Sequence, residues 1–196
     1  MSMQQLSPSQ VLQEKGKALA RANSWKRLAA SLAGTLVCTL LLFGLLFGAA
    51  VVHGSSMNPA FRENDLVLFY RPAPARGYGA GDVVILKAGR PDTRGLPPEP
   101  QGLRKYVKRV IGVPGDTVDI NPAGGVLVNG EPPEDLFAKG ATLRKESVEF
   151  PLKLAAGEYF VLGDNRENSS DSRVFGAVTA GSIEGKVLAV LRTRRP

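Results

Sequence analysis

The 196-residue sequence contains a single cysteine and a single histidine, Cys38 and His53. One cysteine excludes an intramolecular disulfide and a cysteine-based zinc cluster. Because Cys38 lies inside a long apolar run, where a thiol stays protonated and inaccessible, a cysteine nucleophile is also disfavoured. One histidine removes most metal-binding constellations. With no glycine-rich phosphate loop opening a helix, we expect neither a metal nor a cofactor.

Basic residues outnumber acidic ones, with 25 Lys and Arg against 18 Asp and Glu and a formal net charge of +7. They are scattered along the chain and are not interleaved with aromatic side chains, as a stacking surface for nucleic acid requires. Nucleic acid is therefore not an expected partner. The basic excess is better explained by an anionic membrane surface nearby.

The N-terminal part of the chain carries its one long apolar run. Residues 1–28 are polar and basic, and residues 29–52 contain no charged side chain. As a helix, such a run spans about 36 Å, enough to cross the roughly 30 Å hydrocarbon core of a bilayer. Because the positive charge precedes the run, we expect a cytoplasmic N-terminal segment, one transmembrane helix over 29–52 and an extracytoplasmic domain over 53–196.

A cleavable secretory signal is the alternative interpretation of this segment. Such signals also combine a basic start, an apolar centre and small residues, and Gly48-Ala49-Ala50 supplies the small residues here. The apolar run is longer than the roughly 7 to 15 residues of an ordinary signal. Its length therefore favours a retained anchor.

Residues 53–196 alternate short apolar bursts with glycine, proline and aspartate, a pattern typical of an all-β domain. Within them Asn129-Gly130 is a strong hairpin signal. Residues 88–104 and 132–148 are predicted as loops, and the sequence assigns no role to the proline-rich stretch 91–100. The predicted strands are 66–70, 82–86, 106–113, 125–129, 159–162 and 186–191.

Three segments hold side chains that ordinary strands and turns do not require. In the first, residues 55–59, two serines lie between a glycine and a proline, and irregular backbone of this kind can hold a hydroxyl exposed. In the second, residues 106–116, Lys108 interrupts a half-buried strand pattern, which is costly for a cation unless it is paired or neutral. The third, residues 163–173, is a dense polar loop after an apolar strand.

Two side chains are candidates for activating a serine in the first segment. His53 is the only imidazole, but it lies three residues before Ser56, and residues at odd separation point to opposite faces of an extended segment. Lys108 is the other candidate, provided that burial lowers its pKa from about 10.4 toward neutrality. Arg109 beside it cannot deprotonate. Spacing and burial therefore favour the Lys108 amine over the His53 imidazole.

Each segment also has a purely structural explanation. The serine pair fits a turn that leaves a membrane helix. Lys108 fits a strand residue that buries its stem and keeps its head in solvent. The polar loop fits one held together by Asp171 with Arg166 or Arg173. Taken singly, each explanation is as good as the functional one.

Together the segments resemble the type I signal peptidases, the membrane-bound Ser/Lys proteases that remove signal peptides from exported proteins. The similarity covers nearly all of residues 30–190, and four sequence boxes occur in the family's order. The boxes are Ser56-Met57-Asn58-Pro59, Gly81-Asp82-Val83-Val84, residues 108–116 beginning Lys108-Arg109, and residues 163–173 from Gly163-Asp164-Asn165-Arg166 to Ser172-Arg173.

The resemblance implies a role for each matched residue. Ser56 would be the nucleophile, and neutral Lys108 the general base that takes its proton and then donates one to the leaving amine. Ser169 would hydrogen-bond Lys108 and orient it. Asp171 and Arg173 would form a pair that holds the loop.

The resemblance also implies a fold and a setting. The expected fold class is a mostly β, antiparallel domain of the signal peptidase type, preceded by one transmembrane helix. An exposed apolar surface of that domain would rest on membrane lipid, and Met57 would help to shape the cleft. The protein would be a single-pass protein of the cell membrane, without metal or cofactor.

The sequence departs from the family pattern at two positions near Ser56. Some members carry a serine two residues before the nucleophile that donates to the oxyanion, and here that position is Gly54. The backbone N–H of Ser56 then remains as a donor, while Ser55, displaced by one residue, would point away. Ala60 replaces the threonine that usually follows the proline.

The expected function is hydrolysis of one peptide bond in preproteins, after small side chains at the first and third positions before the cut. One alternative is a related Ser/Lys processing protease of narrower range, such as one for a conjugative pilin. The other is a non-enzymatic anchored β domain that binds periplasmic or cell-wall partners. The sequence specifies neither the preproteins cleaved nor the oligomeric state.

Overall fold

The computed structural model describes residues 8–71, 77–87, 105–134 and 137–192. The chain divides into two compact units, Met1–Leu45 and Leu46–Pro196. The predicted loop 88–104, with its proline-rich stretch, lies outside the described residues.

Helix α1, Pro8–Leu46, accounts for the first unit. Its segment Asn23–Leu46 has a mean hydropathy of 2.1 and is long and apolar enough to cross a membrane. Helices that are apolar on every side belong either in a protein core or in a bilayer, and the side chains of this segment are exposed up to Leu45. The hydroxyls of Thr35 and Thr39 donate to carbonyls four residues earlier, which satisfies them without water. These features fit a membrane anchor.

The apolar run predicted as one helix over 29–52 is in fact a helix followed by a strand. Helix α1 ends at Leu46, and strand β1, Phe47–Val51, pairs antiparallel with β2, Leu66–Tyr70. Gly48 permits this packing, because a Cβ there would lie within 2.8 Å of the Phe69 ring. Hydropathy alone does not distinguish the two structures, since β1 finds its partner beyond the serine segment.

The second unit is mostly β, and every strand pair in it is antiparallel. Its larger sheet has seven strands in the order β1-β2-β10-β3-β4-β8-β9, and its smaller sheet has three in the order β6-β5-β7. The expected fold class, a helix followed by an antiparallel β domain, is therefore confirmed. The remaining strands are β3 (Val83–Lys87), β4 (Lys105–Gly112), β5 (Thr117–Ile120), β6 (Val126–Val128), β7 (Leu152–Lys153), β8 (Glu158–Leu162), β9 (Val178–Thr179) and β10 (Ile183–Leu191).

The irregular parts of this unit follow local sequence signals. Asn129 and Gly130 adopt positive φ angles of 53° and 89° and form the predicted tight turn, across which Val128 and Glu131 exchange backbone hydrogen bonds. The described residues between 132 and 148 contain no helix and no named strand. In the described ranges, this unit also contains the 3₁₀ turns Arg166–Asn168 and Ala180–Ser182 and the short helix α2, Ser172–Phe175.

One buried cluster brings the serine segment against β4. Met57 is 1% exposed and lies in the same apolar cluster as Val107, the residue before Lys108. Burial of both side chains draws the two segments together, because each removes apolar surface from water. The other members of this cluster are Val52, Phe61, Val67, Phe69 and Ile85.

Candidate active site

The turn that carries Ser56 begins at Gly54, whose φ of +84° takes the chain away from β1. Beyond it, the N–H of Asn58 donates to the carbonyl of Ser55 at 3.1 Å, and the N–H of Phe61 donates to the carbonyl of Met57 at 2.8 Å. Met57 is buried directly after Ser56 and supports the turn from the core. It is not among the residues that line the cleft between β1 and the beginning of β4. Ser56 is left half-buried.

Lys108 reaches this turn from β4, and its Nζ lies 2.9 Å from Ser56 Oγ. The lysine side chain is 2% exposed, and burial lowers the pKa of its amine from 10.5 to about 8. Asp171 opposes this lowering, Arg173 adds to it, and Asp164 opposes it more weakly. With a pKa of about 8, roughly a tenth of the amine is neutral at pH 7, against about 3 in 10⁴ at 10.5. A neutral amine at this distance can accept the serine proton.

His53, the alternative base, is directed to Glu63 and not to Ser56. Its imidazole is 73% exposed and has Nδ1 at 3.8 Å from Glu63 Oε1. Within the described part of the chain, no hydrogen bond joins it to Ser56. The geometry therefore favours Lys108.

Ser169 does not make the hydrogen bond to Lys108 that the resemblance implies. Its Oγ is buried and has no hydrogen-bond partner among the described residues. The side chain packs instead against Gly163, where a Cβ would lie within 2.6 Å of both Ser169 Cβ and the carbonyl oxygen of Ser56. Gly163 thus lets the polar loop approach the nucleophile closely. A buried hydroxyl left unpaired typically costs about 1–3 kcal/mol.

Two asparagines of the polar loop, Asn165 and Asn168, hydrogen-bond the serine turn. Sequence reasoning did not find these contacts. The N–H of Asn165 donates to the carbonyl of Ser56 at 2.9 Å, and its side-chain amide donates to the carbonyl of Ser55 at 3.2 Å. The amide of Asn168 donates to Ser55 Oγ at 2.6 Å. These bonds direct the Ser55 side chain toward the loop. In the sequence, the only sign of this contact is the density of asparagine in residues 163–173.

Asp171 and Arg173 form a buried, two-pronged ion pair within this loop. Arg173 Nε lies 2.8 Å from Asp171 Oδ1, Nη2 lies 2.9 Å from Oδ2, and both side chains are at most 2% exposed. Asp171 also accepts the N–H of Gly163 at 3.0 Å, and Arg173 donates to the carbonyl of Arg166 at 2.7 Å. The pair therefore fixes both ends of the loop segment that touches Ser56.

A second buried ion pair ties β4 to the same loop. Arg109 donates to both carboxylate oxygens of Asp164, at 2.8 and 2.7 Å, and to the carbonyl of Gly81 at 2.9 Å. Sequence reasoning only excluded Arg109 as a base and did not find this partner. Because Arg109 follows Lys108 directly, the pair fixes the position of the lysine backbone relative to the loop.

The backbone N–H of Ser56 is the donor that remains for an oxyanion. Among the described residues, it makes no hydrogen bond. The N–H of Gly54, in contrast, donates to Glu63 Oε2 at 2.8 Å. A backbone donor next to the nucleophile suits a negatively charged tetrahedral intermediate.

A cleft of about 820 Å³ leads to this turn. Strand β1 forms one wall with Ala49, Ala50 and Val51, and the beginning of β4 forms another with Lys105 and Tyr106. His53 and Gly54 line the cleft where it meets the turn. In the larger sheet β1 is an edge strand, and β8 pairs with β4 only from Arg109 onward. An extended peptide could therefore lie along these strands.

In the described ranges, no group of three or more His, Cys, Asp or Glu side chains is placed to hold a metal ion.

Known proteins resemble this chain over most of its length. A family model described as signal peptidase, peptidase S26, matches residues 25–192. Signal peptidase I of Bacillus licheniformis is 32% identical over 146 residues, 70% of this chain and 72% of the relative. Signal peptidase IB of Staphylococcus aureus (strain N315) is 30% identical over 176 residues, 80% of this chain and 84% of the relative. A solved signal peptidase I from Enterococcus faecalis V583 is 31% identical, covers 58% of this chain and 98% of its own, and has a TM-score of 0.42.

Proposed function

This chain belongs to the signal peptidase family, peptidase S26, and we propose that Ser56 and Lys108 are the nucleophile and the general base of its reaction. As a serine endopeptidase of the signal peptidase I type, it cleaves signal peptides from exported proteins. The observation that carries the assignment of the two residues is the 2.9 Å contact between a buried amine and a half-buried hydroxyl. Neither the narrower processing protease nor the binding domain is favoured.

In the proposed mechanism, neutral Lys108 takes the proton of Ser56 as Oγ attacks the scissile carbonyl carbon. The carbonyl oxygen becomes an oxyanion, which the N–H of Ser56 stabilises. As the intermediate collapses, the Lys108 ammonium gives its proton to the leaving amine, and an ester remains on Ser56. Neutral Lys108 then activates a water molecule, which hydrolyses the ester and restores the hydroxyl.

The supporting residues act on the positions of these two groups. Asp171 and Arg173 hold the polar loop through their buried pair. Ser169 fills the space against Gly163 beside the Ser56 carbonyl. Met57 anchors the serine turn in the core. We assign none of these four a direct part in proton transfer.

For the substrate, we propose an extended segment of the preprotein bound along β1 and the beginning of β4. Backbone pairing supplies affinity in this mode, and the space left for alternate side chains supplies specificity. The ring centroid of Tyr106 lies 6.0 Å from Lys108 Nζ, so this ring bounds the space next to the catalytic pair. A small side chain before the cut fits such a space, and a large one is excluded.

We also propose that one face of the β domain contacts membrane lipid. The exposed side chains of Val51, Leu68, Leu188 and Leu191 lie on β1, β2 and β10, adjacent strands of the larger sheet. Val51 and Leu191 are both directly opposite Leu66 in their registers, so they emerge on the same side as one another. Exposed apolar side chains on adjacent strands favour contact with a membrane.

Cleavage of a preprotein in detergent tests the assignment of Ser56. The Ser56→Ala enzyme is expected to lose at least about 10³-fold in kcat, because the nucleophile is removed. Ser55→Ala is the matched control and should lose at most about tenfold, since its hydroxyl makes one hydrogen bond, to Asn168. A preprotein with isoleucine directly before the cut should stay intact. Wild-type cleavage by Ser56→Ala would contradict the proposal.

The same assay, run on sealed membrane vesicles, tests the proposed orientation. With the N-terminus in the cytoplasm and the β domain outside, right-side-out vesicles should cleave a substrate added to the medium. Sealed inverted vesicles should cleave it only after detergent is added. The opposite pattern would show that the orientation is the reverse of the proposed one, without affecting the assignment of Ser56.

A further inference from the structure

The serine turn has a second support, which comes from residues 63–65 and not from the polar loop. The pairing of β1 with β2 continues beyond both strands, since the N–H of Val52 donates to the carbonyl of Asp65 and the N–H of Asn64 donates to the carbonyl of Val52, both at 2.9 Å. The next donor in this series is the N–H of Gly54, and its acceptor is a side chain instead of a backbone carbonyl. Glu63 Oε2 accepts the N–H of Gly54 at 2.8 Å.

Glu63 stands on a turn that is itself well anchored. The N–H of Arg62 donates to Asp65 Oδ2 at 2.9 Å, and the N–H of Asp65 donates to the carbonyl of Arg62 at 3.1 Å. Asp65 is 6% exposed, and Arg192 Nε lies 3.7 Å from its Oδ2. The carboxylate of Glu63 is therefore presented from a fixed piece of backbone.

Gly54 lies two residues before Ser56, so its conformation influences where Ser56 lies. Its φ of +84° is a conformation that glycine adopts readily, but glycine adopts many others equally readily. An external hydrogen bond to its N–H selects one of them. Two residues further on, Ser56 must place its Oγ 2.9 Å from Lys108 and its N–H toward the oxyanion.

We propose that Glu63 is a positioning residue for the reaction, whose carboxylate holds Gly54 in the conformation that aligns Ser56 with Lys108 and with the scissile carbonyl. This inference rests on the proposed role of Ser56. It also removes the N–H of Gly54 from the oxyanion donors, because that hydrogen already bonds the carboxylate. Glu63 acts in the transition state, where the alignment of Ser56 matters, and has little effect on binding of the peptide along β1 and β4.

The test compares Glu63→Ala with Glu63→Gln in preprotein cleavage. Misplacing a reacting group by about 1 Å can cost about 100-fold, so Glu63→Ala is expected to lower kcat by about 10- to 100-fold with KM within about twofold. Glu63→Gln keeps an acceptor oxygen and should retain kcat within about threefold of wild type. Because Glu63 is 58% exposed, neither change should move the melting temperature by more than about 2 °C.

Glu158→Ala is the matched control, because Glu158 also caps a backbone N–H, that of Ala155 at 2.9 Å, away from the serine turn. It should leave kcat unchanged. Unchanged kcat in Glu63→Ala, or an equal loss in Glu63→Gln, would overturn the inference. An active Ser56→Ala enzyme in the same assay would instead overturn the proposed function.

Discussion

Replacing Lys108 with methionine is expected to lower kcat for preprotein cleavage by at least about 10³-fold, with the domain still folded. Methionine has nearly the length of lysine and fits the apolar surroundings of a side chain that is 2% exposed. It lacks the amine that accepts the serine proton, and the adjacent Arg109 is engaged by Asp164 and cannot deprotonate. The measurement is single-turnover cleavage in detergent.

The same replacement should stabilise the protein at neutral pH. The folded state binds fewer protons than the unfolded state between pH 8 and 10.5, because the pKa of Lys108 is lowered to about 8. The destabilisation caused by burying the charged amine is therefore fully present below pH 8, and it disappears as the pH rises to 10.5. The difference between the two pKa values corresponds to roughly 3 kcal/mol. The melting temperature of Lys108→Met at pH 7 should thus be higher than that of wild type.

Lys153→Met is the control for both effects. Lys153 is exposed on β7 in the smaller sheet, where its amine donates to the carbonyl of Gly115. Its replacement should leave kcat unchanged and should not raise the melting temperature at pH 7. Cleavage by Lys108→Met at the wild-type rate would show that the base is another group.

Replacing Asp171 with alanine is expected to lower the free energy of unfolding by about 3–5 kcal/mol and to abolish most cleavage. The change leaves the guanidinium of Arg173, 2% exposed, without its carboxylate partner, and leaves the N–H of Gly163 without an acceptor. Both groups hold the loop against the Ser56 carbonyl. Thermal or denaturant unfolding measures the loss.

Asp119→Ala provides a comparison for an ion pair in solvent. Asp119, on β5 of the smaller sheet, pairs at 2.7 Å with Arg144, and the two side chains are 34% and 44% exposed respectively. Exposed pairs contribute about 0–1 kcal/mol, so this variant should unfold close to wild type. If Asp171→Ala were no less stable than Asp119→Ala, the loop would be held by something other than its buried pair.

The sequence predicted the β-rich part of the fold because its strands repeat a local pattern. The strands at 66–70 and 159–162 were found to within a residue. Strand β1 was missed because an uncharged run is equally compatible with a helix and with a buried strand. Its pairing with β2, and the packing of Phe69 over Gly48, depend on chain folding that hydropathy does not encode.

The site shows the same division between local and long-range information. Ser56 and Lys108 could be singled out because each conflicts with its own surroundings in sequence. The partners that hold them could not, since Asn165 and Ser55 are 110 positions apart and Arg109 and Asp164 are 55 apart. The implied bond from Ser169 to Lys108 is absent because Ser169 packs against Gly163.

The pH dependence of kcat/KM tests the central claim, that neutral Lys108 is the base for Ser56, most directly. This quantity reports the essential groups of the free enzyme. Because burial lowers the pKa of Lys108 to about 8, the rate should rise tenfold per pH unit below that value and level off above it. The midpoint should stay in place when His53 is replaced by glutamine. Loss of this limb in His53→Gln would contradict the claim.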